Sequence, residues 1–218
     1  MTAPPVVNAP LRLYAQALRQ ADRGGRERLE LVDPDGRAID RAAPVDWTGL
    51  RPGDTGLLDR CVGPTLDVGC GPGRLAAALA RRGRPALGVD ICPEAVRQAR
   101  RRGALAVRGD VFAALPMEGG WTSVLLVDGN IGIGGDPARL LRRCAGLVHR
   151  GGTVLAEMHP PGANSWEGAV RLRYRGRVSA PFPWAAVAAH DVGELAHRAG
   201  LRVRTLWTEA DRWFARLG

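Results

Sequence analysis

Between Leu66 and Leu75 the chain reads Leu-Asp-Val-Gly-Cys-Gly-Pro-Gly-Arg-Leu, and few folds accept such a stretch. Leu66 to Val68 form a short apolar strand carrying one acid, glycines follow at 69, 71 and 73, and a helix-forming run opens at Arg74. Strand, glycine turn and helix N-terminus in succession expose backbone N–H groups to a ligand that approaches closely. The stretch reads either as a nucleotide-type binding loop or as a glycine-rich turn without a ligand. The pattern alone leaves both open.

Register narrows the choice. A dinucleotide fold places its third glycine one position later, where this chain has Arg74. Asp67, two residues before the first glycine, repels a pyrophosphate over the loop and favours a ligand carrying an ammonium or sulfonium. The stretch resembles motif I of the class I S-adenosylmethionine-dependent methyltransferases. That resemblance implies that Gly69, Cys70, Gly71 and Gly73 hold the methionine and ribose of the cofactor and that Asp67 helps to orient its amino group.

Three later strand ends extend the pattern. Ala86 to Val89 read as a buried strand ending in Asp90, whose carboxylate is placed to accept both ribose hydroxyls of a nucleoside. Cys92-Pro93-Glu94 then opens a helix, with proline at its first position and an acid in the first turn. After a third strand, Ala104 to Val107, come Asp110 and Val111; the family bonds the adenine amino group with an acid here and packs an apolar neighbour on the ring. The resemblance gives Ile91, next to Asp90, to the same nucleoside site. Thr122 to Val127 form a near-continuous apolar run, as in a central parallel strand, and end in Asp128-Gly129-Asn130. The family keeps its motif IV there, beside the transferable methyl. The glycines at 129, 132, 134 and 135 suggest a flexible or closely approached backbone.

Asp136-Pro137 restarts a helix that should end near Arg150-Gly151-Gly152, and Thr153 to Met158 give a fifth strand. From Pro160 to about Ala189 the alternation breaks: Val170, Leu172 and Tyr174 alternate with Arg171, Arg173 and Arg175, and Gly176 offers a turn. Asp191 and Glu194 suggest a capping box for a last helix, followed by a strand pair over Leu201–Trp207 and Arg212–Leu217. At the other end, Met1 to about Pro10 read as a loose tail and Leu11 to Ala21 as an amphipathic helix. Leu29, Leu31 and Ile39 flank a turn at Asp33-Pro34-Asp35-Gly36, and Arg51 to Asp54 form a loop ending in a helix cap. Arg51 is placed either to reach a cofactor carboxylate or to lie free in solvent.

The expected architecture is α/β: a doubly wound, seven-stranded, mostly parallel sheet with an antiparallel C-terminal strand, in a three-layer α-β-α sandwich. Residues 1–60 would form an N-terminal cap and 61–218 the methyltransferase domain, with 160–189 a substrate lid.

Composition excludes other classes. The charge of +9 would suggest nucleic acid, but all 31 basic residues are arginines and they are spread along the chain. Pairs such as Arg81-Arg82, Arg101-Arg102 and Arg142-Arg143 are expected at helix ends, where cations favour the dipole. The four cysteines, at 61, 70, 92 and 144, are far apart and lack histidines at ligand spacing, so neither a disulfide framework nor a metal site is expected. No apolar run approaches a membrane span, and a cytoplasmic setting is expected.

The resemblance implies S-adenosyl-L-methionine as cofactor, S-adenosyl-L-homocysteine as product and in-line methyl transfer to a small-molecule acceptor, in specialised metabolism. His159 and His190 are the candidate bases where the acceptor must lose a proton. An RNA methyltransferase, a non-catalytic adenosylmethionine-binding module and a nicotinamide-dependent oxidoreductase remain as rivals. The sequence leaves the acceptor atom and the oligomeric state open.

Overall fold

The computed structural model describes residues 9–218. The expected loose tail lies outside the described residues as far as Asn8, and Pro10 already belongs to the first helix. In chain order the elements are α1 (Ala9–Ala21), β1 (Leu29–Val32), β2 (Ala38–Ala42), a 3₁₀ turn (Pro44–Trp47), α2 (Asp54–Asp59), β3 (Thr65–Val68), α3 (Arg74–Arg81), β4 (Ala86–Asp90), α4 (Pro93–Arg101) and β5 (Ala106–Arg108). They continue with β6 (Trp121–Leu126), a glycine-rich 3₁₀ stretch (Asn130–Gly135), α5 (Pro137–Leu147), β7 (Val148–Met158), β8 (Trp166–Tyr174), β9 (Arg177–Val178), β10 (Phe182–Ala186), α6 (Val192–Arg198), β11 (Val203–Glu209) and β12 (Arg212–Leu217).

Seven strands form the main sheet in the order β11-β12-β7-β6-β3-β4-β5. β3 pairs in parallel with both β4 and β6, and β12 runs antiparallel to β7 and β11. The chain winds outward from β3 through β4 to β5, then crosses to β6 and winds the other way. The strand order therefore reverses between β3 and β6, where doubly wound sheets bind ligands.

Alternate residues of the central strands build two cores. Leu125, Val127, Leu155 and Phe214 face Leu57 and Leu58 of α2 and Leu75 and Leu79 of α3. Val124, Leu126, Val154 and Ala156 face Leu140, Leu141 and Cys144 of α5 and Leu195 and Ala196 of α6. Each such leucine contributes about 1.5–3 kcal/mol by leaving water, and this two-sided burial is why the end of β6 and the residue after it form the apolar run Val124 to Val127. Cys61, Cys70, Cys92 and Cys144 are buried free thiols.

A second, smaller sheet has the order β10-β8-β1-β2, with β9 paired to β8. The N-terminal hairpin and the segment after β7 thus share hydrogen bonds, with Leu31 opposite Leu172 and Phe182 opposite Val170. α1 joins this sheet to the body: Ala17 packs with Leu29 and Tyr174, while Leu18 packs with Cys92 and Ala95 of the α4 turn. β10 lies against the glycine-rich stretch so closely that a Cβ on Gly132 would collide with the Ala185 carbonyl oxygen.

Some local expectations give way to tertiary contacts. The helix expected to run to about Arg150 ends at Leu147, because Val148 already pairs with Trp121 and starts β7. Arg142 and Arg143 therefore lie inside α5, where Arg142 donates to the Arg198 carbonyl and Arg143 to the carbonyls of Val111 and Ala113. The capping box at α6 is not formed. Asp191 makes no side-chain cap and instead accepts the Ser165 hydroxyl at 2.5 Å. The Arg51–Asp54 loop ends in Gly53 as the cap of α2, and Asp54 is its first, fully buried residue.

Candidate functional site

The glycine loop leaves β3 and is fastened to the tip of β4. Gly69 and Cys70 donate their N–H groups to the Val89 carbonyl at 2.8 and 3.1 Å. Gly71 N–H donates to Asp90 Oδ2 at 2.9 Å, and Cys92 N–H to Asp90 Oδ1 at 2.8 Å. Each Asp90 oxygen keeps a lone pair for a further donor. Burial pushes the Asp90 carboxyl up to about 6, against the opposing pull of the Cys92 and Gly71 N–H groups. Gly73, at φ +83, adopts a backbone that favours glycine, and a Cβ there would stand 2.6 Å from Ala99 Cβ of α4. Cys70 turns its side chain inward against Gly88, so only its backbone faces the crevice.

Across the switch point, Asn130 Nδ2 donates to the carbonyls of Val68 and Gly69 at 2.9 and 3.0 Å. It thereby pins the end of β3 to the turn after β6. Asp128, at φ +58, and Gly129, at φ +81, form that turn. On the other side, Gly109 N–H donates to the Asp90 carbonyl, bringing Ile91 and Asp110 to neighbouring strand tips. Ile91 is 44 % exposed and Val111 4 % exposed; Asp110 Oδ1 accepts the Phe112 N–H at 2.9 Å. The loop, Asp90, Ile91, Asp110, Val111, Asp128, Gly129 and Asn130 therefore line one edge of the sheet.

Asp67 lies beneath the loop, 2 % exposed, with Oδ2 lacking a hydrogen-bond partner among the described residues. Burial pushes its carboxyl up to about 7; Arg74 opposes this, while Asp128 and Asp90 add to it. Arg74 is only 3 % exposed at its side chain, and its guanidinium pairs with Asp54 and Asp128. Arg51 meets Asp128 Oδ1 at 2.7 Å, and Arg212 meets Asp54 at 2.7 Å and Glu157 Oε1 at 2.8 Å. Glu157 Oε2 accepts the Asp128 N–H at 2.8 Å. Burial alone would raise Asp54 and Glu157, but the arginines outweigh it and hold both below the usual carboxylate range. This cluster joins α2, α3, the β6 turn, β7 and β12, and it gives Arg51 a partner in Asp128.

Tyr14 of α1 reaches over the same loop. Its hydroxyl oxygen would stand 3.2 Å from a Cβ on Gly71, and its ring meets Trp47 edge-on at 6.0 Å. Burial, and after it the charge of Asp90, push the phenol well above its ordinary range. Of the two candidate bases, His159 follows the end of β7, its N–H donating to the Val187 carbonyl and its carbonyl accepting from Ala189 N–H. His190 follows that bridge, half-exposed, with Nε2 3.4 Å from Asp191. The two main-chain segments are adjacent.

Sequence reading missed the roles of Asp54, Glu157 and Arg212, and treated Arg74 only as a break in register. The one local signal was an arginine where a dinucleotide loop keeps glycine. Charge and donor set fit an adenosyl cation: Asp90 retains acceptor capacity and Asp67 holds a buried oxygen unpartnered among the described residues, while a Cβ on Gly69 would meet the Asn130 amide at 2.7 Å, so the backbone there stays bare.

A family profile described as a methyltransferase domain matches residues 66–156, from β3 through most of β7. No curated protein matches the sequence significantly. Among solved structures, a SAM-dependent methyltransferase from Bacteroides fragilis, in complex with S-adenosyl-L-homocysteine, is similar with a TM-score of 0.77 and 21 % identity, over 100 % of this chain and 97 % of that one. The CcbJ methyltransferase from Streptomyces caelestis is similar with a TM-score of 0.57 and 16 % identity, over 79 % of this chain and 88 % of that one. The O-methyltransferase NcsB1 from neocarzinostatin biosynthesis reaches 0.54 and 23 %, over 75 % of this chain and 52 % of that one. Residues 66–156 are thus similar to a methyltransferase domain, and the strand order β11-β12-β7-β6-β3-β4-β5 gives the chain the Rossmann-like fold of the S-adenosylmethionine-dependent methyltransferases it resembles.

Proposed function

We propose that the protein binds S-adenosyl-L-methionine at the β3–β4 edge and transfers its methyl group to a small-molecule acceptor. The observation that carries this reading is Asp90, a buried carboxylate at the tip of the second strand of the body, hydrogen-bonded to the glycine loop and still able to accept ribose hydroxyls. Gly69 and Gly71 would let the methionine and ribose lie against the backbone. Ile91 and Val111 would flank the adenine, with Asp110 accepting from its amino group. Support also comes from relatives of the same fold: the Bacteroides fragilis protein was solved with S-adenosyl-L-homocysteine, and the glycopeptide N-methyltransferase MtfA with S-adenosyl-L-methionine.

When bound, the cofactor supplies an electrophilic methyl on a sulfonium leaving group. The protein's share is to align the acceptor with that methyl and keep water out. Asp128 is held by Arg51, Arg74 and the Glu157 contact to its N–H, so its role is to fix the β6 turn rather than to move protons. His159, with its backbone held beside Val187 and Ala189, would take the proton where an acceptor hydroxyl or amine must lose one; His190 is the alternative, partnered by Asp191.

In this reading residues 1–60 and 160–189 serve as cap and lid over the body, 61–218. A small-molecule acceptor, in specialised metabolism, is supported by the small sheet that lies over the β6 turn and by NcsB1, solved with 1,4-dihydroxy-2-naphthoic acid. Arg74, ion-paired where a dinucleotide loop needs glycine, speaks against a nicotinamide cofactor. Calorimetric titration with S-adenosyl-L-methionine, S-adenosyl-L-homocysteine and NADH tests the reading. Saturable binding of the first two and none of the third is expected; the reverse order overturns it.

A further inference from the structure

Five carboxyls gather under and around the glycine loop: Asp54, Asp67, Asp90, Asp128 and Glu157. Among the described residues three guanidinium groups meet them, and all three are spent elsewhere than on Asp67. Arg74 bonds Asp54 and Asp128, Arg51 bonds Asp128, and Arg212 bonds Asp54 and Glu157. Asp90 is served by two backbone N–H groups. Among the described residues Asp67 is left with an unpartnered oxygen and no bonded cation, at 2 % exposure. A carboxylate so enclosed is expensive to keep charged.

Every element packed against Asp67 contributes to this balance. Arg74 comes from α3 together with the Ala76 N–H, Asp128 from the β6 turn and Asp90 from the β4 tip. Cys61 after α2 and Cys70 in the loop also lie within its field, and burial pushes both thiols above their ordinary range, so neither brings charge at neutral pH. Among the described residues Arg74 is the cation that acts most strongly on Asp67, and its hydrogen bonds go to other acids.

We propose that Asp67 is a proton-exchange residue: before binding it holds a proton, and the positive charge of S-adenosyl-L-methionine enters in exchange for that proton. This rests on the cofactor reading above. The exchange balances: one proton leaves the Asp67 carboxyl for solvent, the carboxylate remains, and no covalent bond to the ligand forms. The sulfonium is permanently charged, and below pH 7 the ligand's α-amino group is already protonated, so the ligand itself contributes no proton there. Burial drives Asp67 up to about 7, in keeping with this geometry.

Proton counting by calorimetry tests it on the full chain at pH 6, in two buffers of different ionisation enthalpy. S-adenosyl-L-methionine is expected to release close to one proton per site more than methylthioadenosine, which fills the nucleoside site without bringing a cation. Protons released by methylthioadenosine alone belong to Asp90, which titrates in the same range. The apparent Kd for S-adenosyl-L-methionine should tighten roughly five- to tenfold from pH 5.5 to 6.5, and Asp67→Asn should remove both the extra proton and this slope. Binding with equal proton release for the two probes overturns the proposal and leaves the cofactor reading standing. Failure of S-adenosyl-L-methionine to bind at all overturns the cofactor reading itself. Because the wild-type proton count decides the matter, the test does not depend on the variant folding.

Discussion

The N–H of Gly71 donates to Asp90 across 2.9 Å, joining the turn after β3 to the end of β4. One carboxylate thus shapes the loop, and in the proposed reading it also serves the nucleoside. Asp90→Ala leaves the Gly71 and Cys92 N–H groups without an acceptor, and a destabilisation of about 1–3 kcal/mol is expected. Asp90→Asn keeps an acceptor oxygen and should lose less. Urea denaturation of the three proteins, with S-adenosyl-L-methionine titrations alongside, checks both effects; equal stability of wild type and Asp90→Ala would contradict the structural role.

Arg74 is the hinge of the buried charge cluster, and Arg74→Met strips a partner from Asp54, which is fully buried, and from Asp128. Removing one side of a buried pair destabilises by about 3–5 kcal/mol. Arg212 and Arg51 still hold those acids, so the lower end is expected. The midpoint of guanidinium unfolding reads this out, and a shift within error would show that the cluster carries little net energy.

The pH dependence of stability should have two limbs of opposite sign. Asp54 and Glu157 lie below their ordinary range when folded, so their contribution is present above about pH 4 and is lost as pH falls further. Asp67 and Asp90 are raised, to about 7 and about 6, so the folded protein holds protons that the unfolded chain releases. Their contribution is present at acid pH and is lost as pH rises from about 4 through 7. Asp67→Asn removes the larger part of this second limb, and its stability should exceed wild type at pH 8 by on the order of 3 kcal/mol while matching it more closely at pH 5. Urea melts at the two pH values measure the difference; a pH-independent gap would refute the assignment.

Gly132→Ala is expected to push β10 away from the stretch after β6, since the added methyl meets the Ala185 carbonyl. Overpacking of this kind destabilises by about 1–3 kcal/mol. Limited proteolysis should then cut faster between Pro160 and Ala186 than in wild type, while residues 61–158 stay protected. Gly146→Ala, where a Cβ meets nothing, is the control.

Local rules found what local rules govern. The glycine loop, the proline-started α4 and the Asp136 cap, which accepts Arg139 N–H at 2.8 Å, all depend on residues within a few positions of one another. The alternation of Val170, Leu172 and Tyr174 with arginines marked β8 correctly, and its Arg173 proved to be paired with Glu30 of β1. The charge cluster was illegible because its members lie between Arg51 and Arg212 and share no period. Asp191 and Glu194 satisfied the spacing of a capping box, yet Ser165, brought close by the small sheet, took the Asp191 carboxylate. Gly151 and Gly152 looked like a helix stop, but pairing with Trp121 had already turned the chain into strand three residues earlier.

The pairing of β1 with β8 also constrains how this architecture can be altered. Leu29–Ala42 and Trp166–Ala186 are hydrogen-bonded along a common edge, so neither is a self-sufficient module. Transplanting Trp166–Ala186 alone into a relative would present an unmatched strand edge, the kind that recruits other chains. Retargeting the acceptor by segment exchange therefore calls for moving both stretches together as one cassette, with α1 to clamp it, and the same coupling obliges evolutionary drift in one stretch to be answered in the other.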